Sequence, residues 1–346
     1  MPVVNSQALI DDRVAAIARY HQDIGVDRAQ LDISGGIDSA VMAGLLVSAL
    51  GSERVTLCHT IIHTDPRQTR QARDLAAAIG CRLAVGDFTP VYKSVVKELV
   101  RSLRDAGYDR AQVASHMKNN PTVEGSIRST LRAPLGRGYN RLTGGGVRHG
   151  TGNECEDRFL RFYQKGGDGE VDTNPMEMLS KTEVYQLAFA LCARMDAQDA
   201  FKPIIAAVPT PDLWGVGNSH NDEDELQQWT GAPFTYGRMD PDTGSVLCVG
   251  TIEMVSRFVD ANMDYGFLFD DDLPEPGICN LVGLARQERD WRFPGLDLEQ
   301  IETLLRAARN AEKVTRHKLN PGIPTLGTRA ELVDAGILTN DLVGLR

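Results

Sequence analysis

No stretch of eighteen consecutive apolar residues occurs in the 346-residue chain, so it offers no segment fit to cross a bilayer as a helix. No C-x-x-C pair occurs either. The six cysteines (Cys58, Cys81, Cys155, Cys192, Cys248 and Cys279) are scattered, which excludes a disulfide scaffold or a thiolate zinc site. They read instead as reduced, buried thiols of a cytoplasmic protein. Basic residues are in deficit, 37 Lys and Arg against 47 Asp and Glu, for a net charge of −10. That balance lacks the electrostatic footprint of a nucleic-acid partner. The first 25 residues carry acids and no apolar segment, so no signal peptide is expected there. Internal repeats are absent too. What remains is 42% apolar and 24% charged, the composition of a globular protein with a real core in one large or two modest domains.

Two common nucleotide signatures are also missing: the Gly-Lys-Ser/Thr ending of the Walker loop and the G-x-G-x-x-G fingerprint. In their place stands Leu31-Asp32-Ile33-Ser34-Gly35-Gly36-Ile37-Asp38-Ser39-Ala40. A short apolar run precedes the glycines, and an apolar helix-length segment follows as far as Gly51. Strand, tight turn, helix is the order that aims backbone N–H groups and a helix dipole at an anion. Gly35 and Gly36 let a phosphate approach the backbone. Ser34 and Ser39 add hydroxyls, and Asp38 adds a carboxylate suited to Mg²⁺.

Around this loop the pattern alternates. Helical spacing over 6–24 and a helix over 40–50 flank strand 1 at about 30–33. Strand 2 (54–62), a helix (69–79), strand 3 (82–85), a helix (92–105) and strand 4 near 146–148 follow. Alternation of this kind predicts an α/β fold, a doubly wound parallel sheet with flanking helices, whose ligands sit beyond the carboxyl ends of the strands. Residues 117–126 and 134–146, rich in Asn, Gly and Pro, read as loops. From 209 to 297 the pattern weakens, and the acidic run at 221–226 reads as a solvated face. A helix over 298–311 is clear, and the tail from Ala330 is short. His317 has a functional case, whereas the other six histidines read as structural or surface residues.

The loop resembles the Ser-Gly-Gly-x-Asp-Ser pyrophosphate loop of the N-type ATP pyrophosphatases. Further elements narrow the resemblance to one family, the NAD synthetases. These are Gly150-Thr151 with Glu156, then Lys165-Gly166-Gly167-Asp168-Gly169, Asp172-Thr173-Asn174-Pro175, and Lys181. Pro209-Thr210-Pro211-Asp212-Leu213 and the pair His317-Lys318 are similar to later elements of that family. The resemblance covers about 30–213 and a short stretch at 315–325. It implies a pyrophosphatase-like core over 1–213, an insertion or lid-like region over 214–297, and a C-terminal helix and tail over 298–346 packed on the same domain.

The same resemblance implies roles residue by residue. Ser34, Gly35, Gly36, Ile37, Asp38 and Ser39 would hold the ATP phosphates, and Thr151, Lys181 and Thr210 would also contact ATP. Asp38 and Glu156 would ligate Mg²⁺. Arg128 (with Arg132 as the fallback), Lys165, Asp172, His317 and Lys318 would contact deamido-NAD. Asp38, Lys181 and Asp168 would carry the catalysis, with Asp168 or Asp172 orienting or deprotonating ammonium. The implied reaction is ammonia-dependent: ATP adenylates the deamido-NAD carboxylate, and ammonia displaces AMP to give NAD. Only about thirty residues precede the loop, too few for the amidase domain of glutamine-dependent relatives, so free or partner-delivered ammonia is the expected donor. A cytoplasmic homodimer is implied as well. Region 214–297 leaves open a related amide ligase that adenylates another carboxylate. A catalytically silent nucleotide-binding protein is opposed by Asp38, Glu156 and Lys181.

Overall fold

The structure, a computed structural model, describes residues 5–210, 221–262, 275–315, 318 and 326–340. Its centre is a parallel sheet of four strands: β1 (Ala29–Asp32), β2 (Val55–Ile61), β3 (Arg82–Asp87) and β4 (Val147–His149). They are ordered β3-β2-β1-β4. Registers such as Leu31↔Leu57 and Leu31↔His149 align the carboxyl ends of β1, β2 and β4. The chain winds outward from β1 to β3 and then returns to the other side of β1. The direction of winding therefore switches between β1 and β4, which is where such sheets open a crevice for ligands.

Helix α1 (Ser6–Ile24) precedes the sheet, and α2 (Ile37–Leu50) connects β1 to β2. α2 is apolar on all sides and buried from Ser39 through Leu46, as expected of a helix covered on every side. Its Gly44 closely approaches a later helix: a Cβ there would meet Leu191 Cδ1 and Met195 Sδ at 3.3 Å. α3 (Pro66–Ala78) starts on an Asp65 cap with Pro66 in its first turn, and α4 (Thr89–Asp105) follows β3.

The segments at 117–126 and 134–146 are not loops. α5 (Arg110–Asn119) and α6 (Pro121–Leu142) occupy most of them, and only 143–146 turn. Glycine and proline content misleads because tertiary contact overrides propensity in α6. A Cβ at Gly136 would lie 2.5 Å from Asp32 Oδ2 and 2.9 Å from Arg148, so the helix must be bare where it crosses the Asp32–Arg148 ion pair. The remaining α-helices among the described residues are α7 (Lys181–Arg194), α8 (Gln198–Ala206), α9 (Asp222–Thr230), α10 (Thr251–Asn262), α11 (Glu275–Arg292), α12 (Leu298–Thr315) and α13 (Arg329–Asp334).

Among the described residues, apolar burial falls into two clusters. The first gathers α1, α2, α7, α8 and the sheet, and takes in Leu332 and Leu338 from the C-terminal part. The second joins Cys155, Phe159 and Leu160 to residues of the 226–311 region, among them Phe234, Phe258, Phe293 and Leu304. Cysteine burial is uneven: Cys58, Cys155 and Cys192 are buried, but Cys248 is exposed, because the short β5–β6 hairpin (Arg238–Met239 with Val246–Cys248) carries it outward.

Candidate active site

Backbone chemistry at the end of β1 builds the first wall. Ile33 continues the strand by donating its N–H to Cys58 O at 2.8 Å. Its own carbonyl accepts from His59 Nδ1 at 2.7 Å, and His59 Nε2 lies 2.9 Å from Thr69 Oγ1. A carbonyl can only accept, so Nδ1 carries the proton and Nε2 receives the threonine hydroxyl. His59 is thus a structural residue that fixes where the loop begins. Gly35 then turns at φ +88°, and a Cβ there would stand 2.3 Å from the backbone oxygen of Gln68. Ser34 and Ser39 lace the turn: their hydroxyls are 3.1 Å apart, Gly36 N–H donates to Ser34 Oγ, and Ser39 Oγ donates to Gly36 O. Gly36 caps α2 without a side chain, so the first-turn amides point out of the helix end.

The second wall starts at the end of β4. Gly150 N–H is tied to Thr173 O, and the chain then opens into a wide helical turn over Glu154–Leu160. Turns of this width often occur at functional sites. Asn153, fully buried, caps it: its Oδ1 accepts from Glu156 N–H at 3.2 Å while its Nδ2 donates to Asp38 Oδ1 at 3.1 Å. One amide therefore aligns both acids. The sequence reading assigned Asn153 no role, although an Asn three residues before Glu156 at a turn start is a legible capping signal.

Lys181 closes the arrangement. It opens α7 behind a Ser180/Glu183 capping box, and its Nζ donates to Asp38 Oδ2 at 2.7 Å and Glu156 Oε1 at 2.8 Å. Its side chain is 2% exposed, against 18% and 20% for the two acids. Burial alone would favour the neutral amine, but Asp38, Glu156 and Asp222 outweigh it and hold Lys181 charged, well above the usual lysine range. Desolvation pushes the Asp38 carboxyl up, helped by Glu156 and opposed by Lys181. Glu156 is desolvated as well, yet Lys181 draws it below its ordinary value. The ring of Tyr236 lies 5.1 Å from Nζ, within cation–π range.

These walls enclose a cavity of about 820 Å³, at the large end of small-molecule sites. It brings together Ser34, Asp38, Thr151, Glu156, Asp168, Lys181, Thr210 and Lys318. Asp168 accepts from Ser129 Oγ at 2.9 Å and from Gln164 N–H at 2.8 Å. Lys318 is pinned by the carbonyls of Arg161 (2.9 Å) and Tyr163 (2.6 Å), and burial holds it below its usual range. Other predicted contacts stand elsewhere. Arg128 is buried beside the cavity rather than lining it, whereas Arg132, one turn further along α6, does line it. Asp172 is spent on Arg137 (2.8 Å) and on Arg148 N–H (2.8 Å), and Lys165 is exposed outside the lining. His317 lies outside the described residues, as do Pro211, Asp212 and Leu213.

The acidic run at 221–226 is not a solvated face. α9 turns Asp222 and Glu225 inward, both buried and both lining the cavity with Gln228 and Trp229, while Glu223 pairs with Arg238. Asp222 is pushed well above the usual carboxylate range by burial. No group of three or more His, Cys, Asp or Glu arranged to hold a metal ion occurs among the described residues. Asp38 and Glu156 alone nevertheless fit a magnesium ion that takes its remaining oxygens from phosphate and water.

A family model described as NAD synthase matches residues 9–240. An NH(3)-dependent NAD(+) synthetase of Pyrobaculum aerophilum is 32% identical over 213 residues, 61% of this chain and 70% of its own length. The enzyme of that name from Methanococcoides burtonii is 30% identical over 227 residues, covering 65% and 75%. Among solved structures, an NMN synthetase from Francisella tularensis superposes with a TM-score of 0.56 at 18% identity, over 85% of this chain and 98% of that one. It shares the fold.

Proposed function

The chain belongs to the NAD synthase family, and on that premise we propose that it is an ammonia-dependent NAD synthetase. It is an ATP-dependent ligase that amidates deamido-NAD to NAD with release of AMP and pyrophosphate. The observation that carries the site assignment is the convergence of Asp38, Glu156 and Lys181 at the mouth of the Ser34–Ser39 loop.

A carboxylate is a poor acyl donor because its oxygen leaves badly. Its attack on the α-phosphorus of ATP expels pyrophosphate and makes AMP the leaving group. Ammonia then adds to the carbonyl, AMP departs, and a proton is lost from nitrogen. In our reading the amides of 35–39 with the Ser34 and Ser39 hydroxyls cradle the β and γ phosphates, and Thr151 and Thr210 position the nucleotide. Lys181 stabilises charge that builds on the leaving pyrophosphate. Asp38 and Glu156 would hold a magnesium ion, which would supply charge neutralisation to the triphosphate. Asp168, held by Ser129 and the Gln164 amide, orients the nitrogen nucleophile and takes its proton. Arg132 and Lys318 offer cationic contacts to the anionic dinucleotide, which makes Arg132 a better candidate than Arg128. We further propose that it works as a cytoplasmic homodimer.

Incubation with ATP, Mg²⁺, ammonium and deamido-NAD, with products identified by mass, should give NAD and AMP in equal amounts. Turnover of glutamine but not ammonium, or adenylation of some other carboxylate in preference to deamido-NAD, would overturn the assignment.

A further inference from the structure

Between Asp38 and Glu156 there is already a positive charge. Lys181 Nζ contacts one oxygen of each acid, Asn153 Nδ2 takes the second oxygen of Asp38, and the Tyr236 ring stands close to the ammonium. A hard divalent ion bound to those two acids would sit about 2.0–2.1 Å from their oxygens. It would then share partners with the Lys181 ammonium, and the two cations would repel at short range. Both cannot hold the acids in this geometry. A triphosphate resolves the conflict, because it brings several negative charges to the neighbouring loop and gives the ammonium another partner within reach of the α7 start.

We propose that Lys181 competes with the divalent cation for Asp38 and Glu156, and that the triphosphate, by drawing the ammonium away, releases the two acids to the metal. Metal and nucleotide therefore bind cooperatively, with Lys181 as the coupling element. The inference rests on the reading of Asp38 and Glu156 as the metal pair. It adds that the lysine which serves the phosphates also guards the pair against metal bound without nucleotide.

The test is Mn²⁺ binding to the full chain, followed by electron paramagnetic resonance, with and without a non-hydrolysable ATP analogue. Wild type should bind Mn²⁺ roughly tenfold or more tightly with the analogue, a coupling of ordinary allosteric size. Lys181→Met should bind Mn²⁺ at least about tenfold more tightly than wild type without the analogue, and should gain little when it is added. Lys181→Arg keeps the cation and should keep the wild-type pattern. Adding Asp38→Asn to Lys181→Met should abolish the gain. Removal of the lysine leaves two half-buried acids unneutralised, so Lys181→Met should melt at lower temperature and be restored by Mn²⁺ alone, while wild type barely responds. If Lys181→Met shows neither the gain in affinity nor the Mn²⁺-dependent recovery, the competition is refuted. If wild type with the analogue binds no Mn²⁺ that Asp38→Asn removes, it is the metal assignment that fails.

Discussion

Gly35 and Gly36 are neighbours in one loop, yet the structure asks different things of them. Gly35 sits at φ +88° with the Gln68 carbonyl where a Cβ would go, whereas a Cβ at Gly36 meets only the Ser34 hydroxyl at 3.3 Å. Gly35→Ala must therefore displace the loop from the start of α3 as well as bear a left-handed backbone. Isothermal titration should find its ATP affinity reduced by roughly tenfold or more, the equivalent of about 1.4 kcal/mol. Gly36→Ala, in ordinary backbone geometry, should stay within a few-fold of wild type. Comparable losses in both would mean that the loop needs its glycines for phosphate approach alone. A histidine pair shows the same dependence on surroundings. His21 Nδ1 bonds to Val26 O, and its Nε2 lies 2.9 Å from His149 Nε2, with the rings stacked. Burial drives His149 down to about 3 and lowers His21 as well, and the pair serves packing between α1 and β4.

α7 begins at a heavily charged point of the interior, which makes its N-terminus the element on which the site depends. Glu183, in its first turn, is fully buried and takes both guanidinium nitrogens of Arg329 at 2.8–2.9 Å, with Arg257 at 3.4 Å. Arg257 also pairs with Glu154 at 2.7 Å, so one network ties α7 to α10, α13 and the turn that carries Glu156. Glu253 adds a further tie by accepting from Thr182 N–H and Oγ1. Burial would raise the Glu183 carboxyl, but Arg329 and Arg257 hold it at about 2. Its folded pKa lies below the unfolded value of 4.5, so its contribution is full above that value and is lost as pH falls from about 4.5 towards 2. Glu183→Gln should cost about 3–5 kcal/mol at neutral pH, because two buried guanidiniums lose a partner. It should also flatten that acid limb. Urea titrations between pH 2 and 7 would show both, and an unchanged acid limb would mean that Glu183 does not carry it.

Across the whole molecule, 155–160, the segment that presents Glu156 to the cavity, packs into the second apolar cluster, and the buried Glu183–Arg257–Glu154 network ties it to α7 in the first. The region beyond residue 213 therefore does more than lie beside the core: Tyr236 stands against Lys181, and Asp222 and Trp229 line the cavity. A buried ionic network across both parts predicts coupled unfolding. Calorimetry should record one transition with matching calorimetric and van't Hoff enthalpies. Phe258→Ala, deep in the second cluster, should lower stability by about 3–5 kcal/mol and still unfold in one step. Two separable transitions would make 221–315 an independent unit instead.

What the sequence determined by itself was whatever consecutive residues encode. The glycine turn, the start of α2 with no side-chain cap and the alternation that gives a parallel sheet each depend on local backbone needs and on periodicity, so the turn at Ser34 to Ser39 and the succession of strands were legible. The tertiary structure alone decided which distant charges meet. Lys181 lies 143 residues from Asp38 and 25 from Glu156, and nothing local to any of the three sets a 2.7 Å contact. It also decided that α6 is a helix despite Pro134 and its glycines, and that one side of an acidic run faces inward. In each case packing against a partner far along the chain outweighed the local preference, and only the folded chain brings that partner into contact.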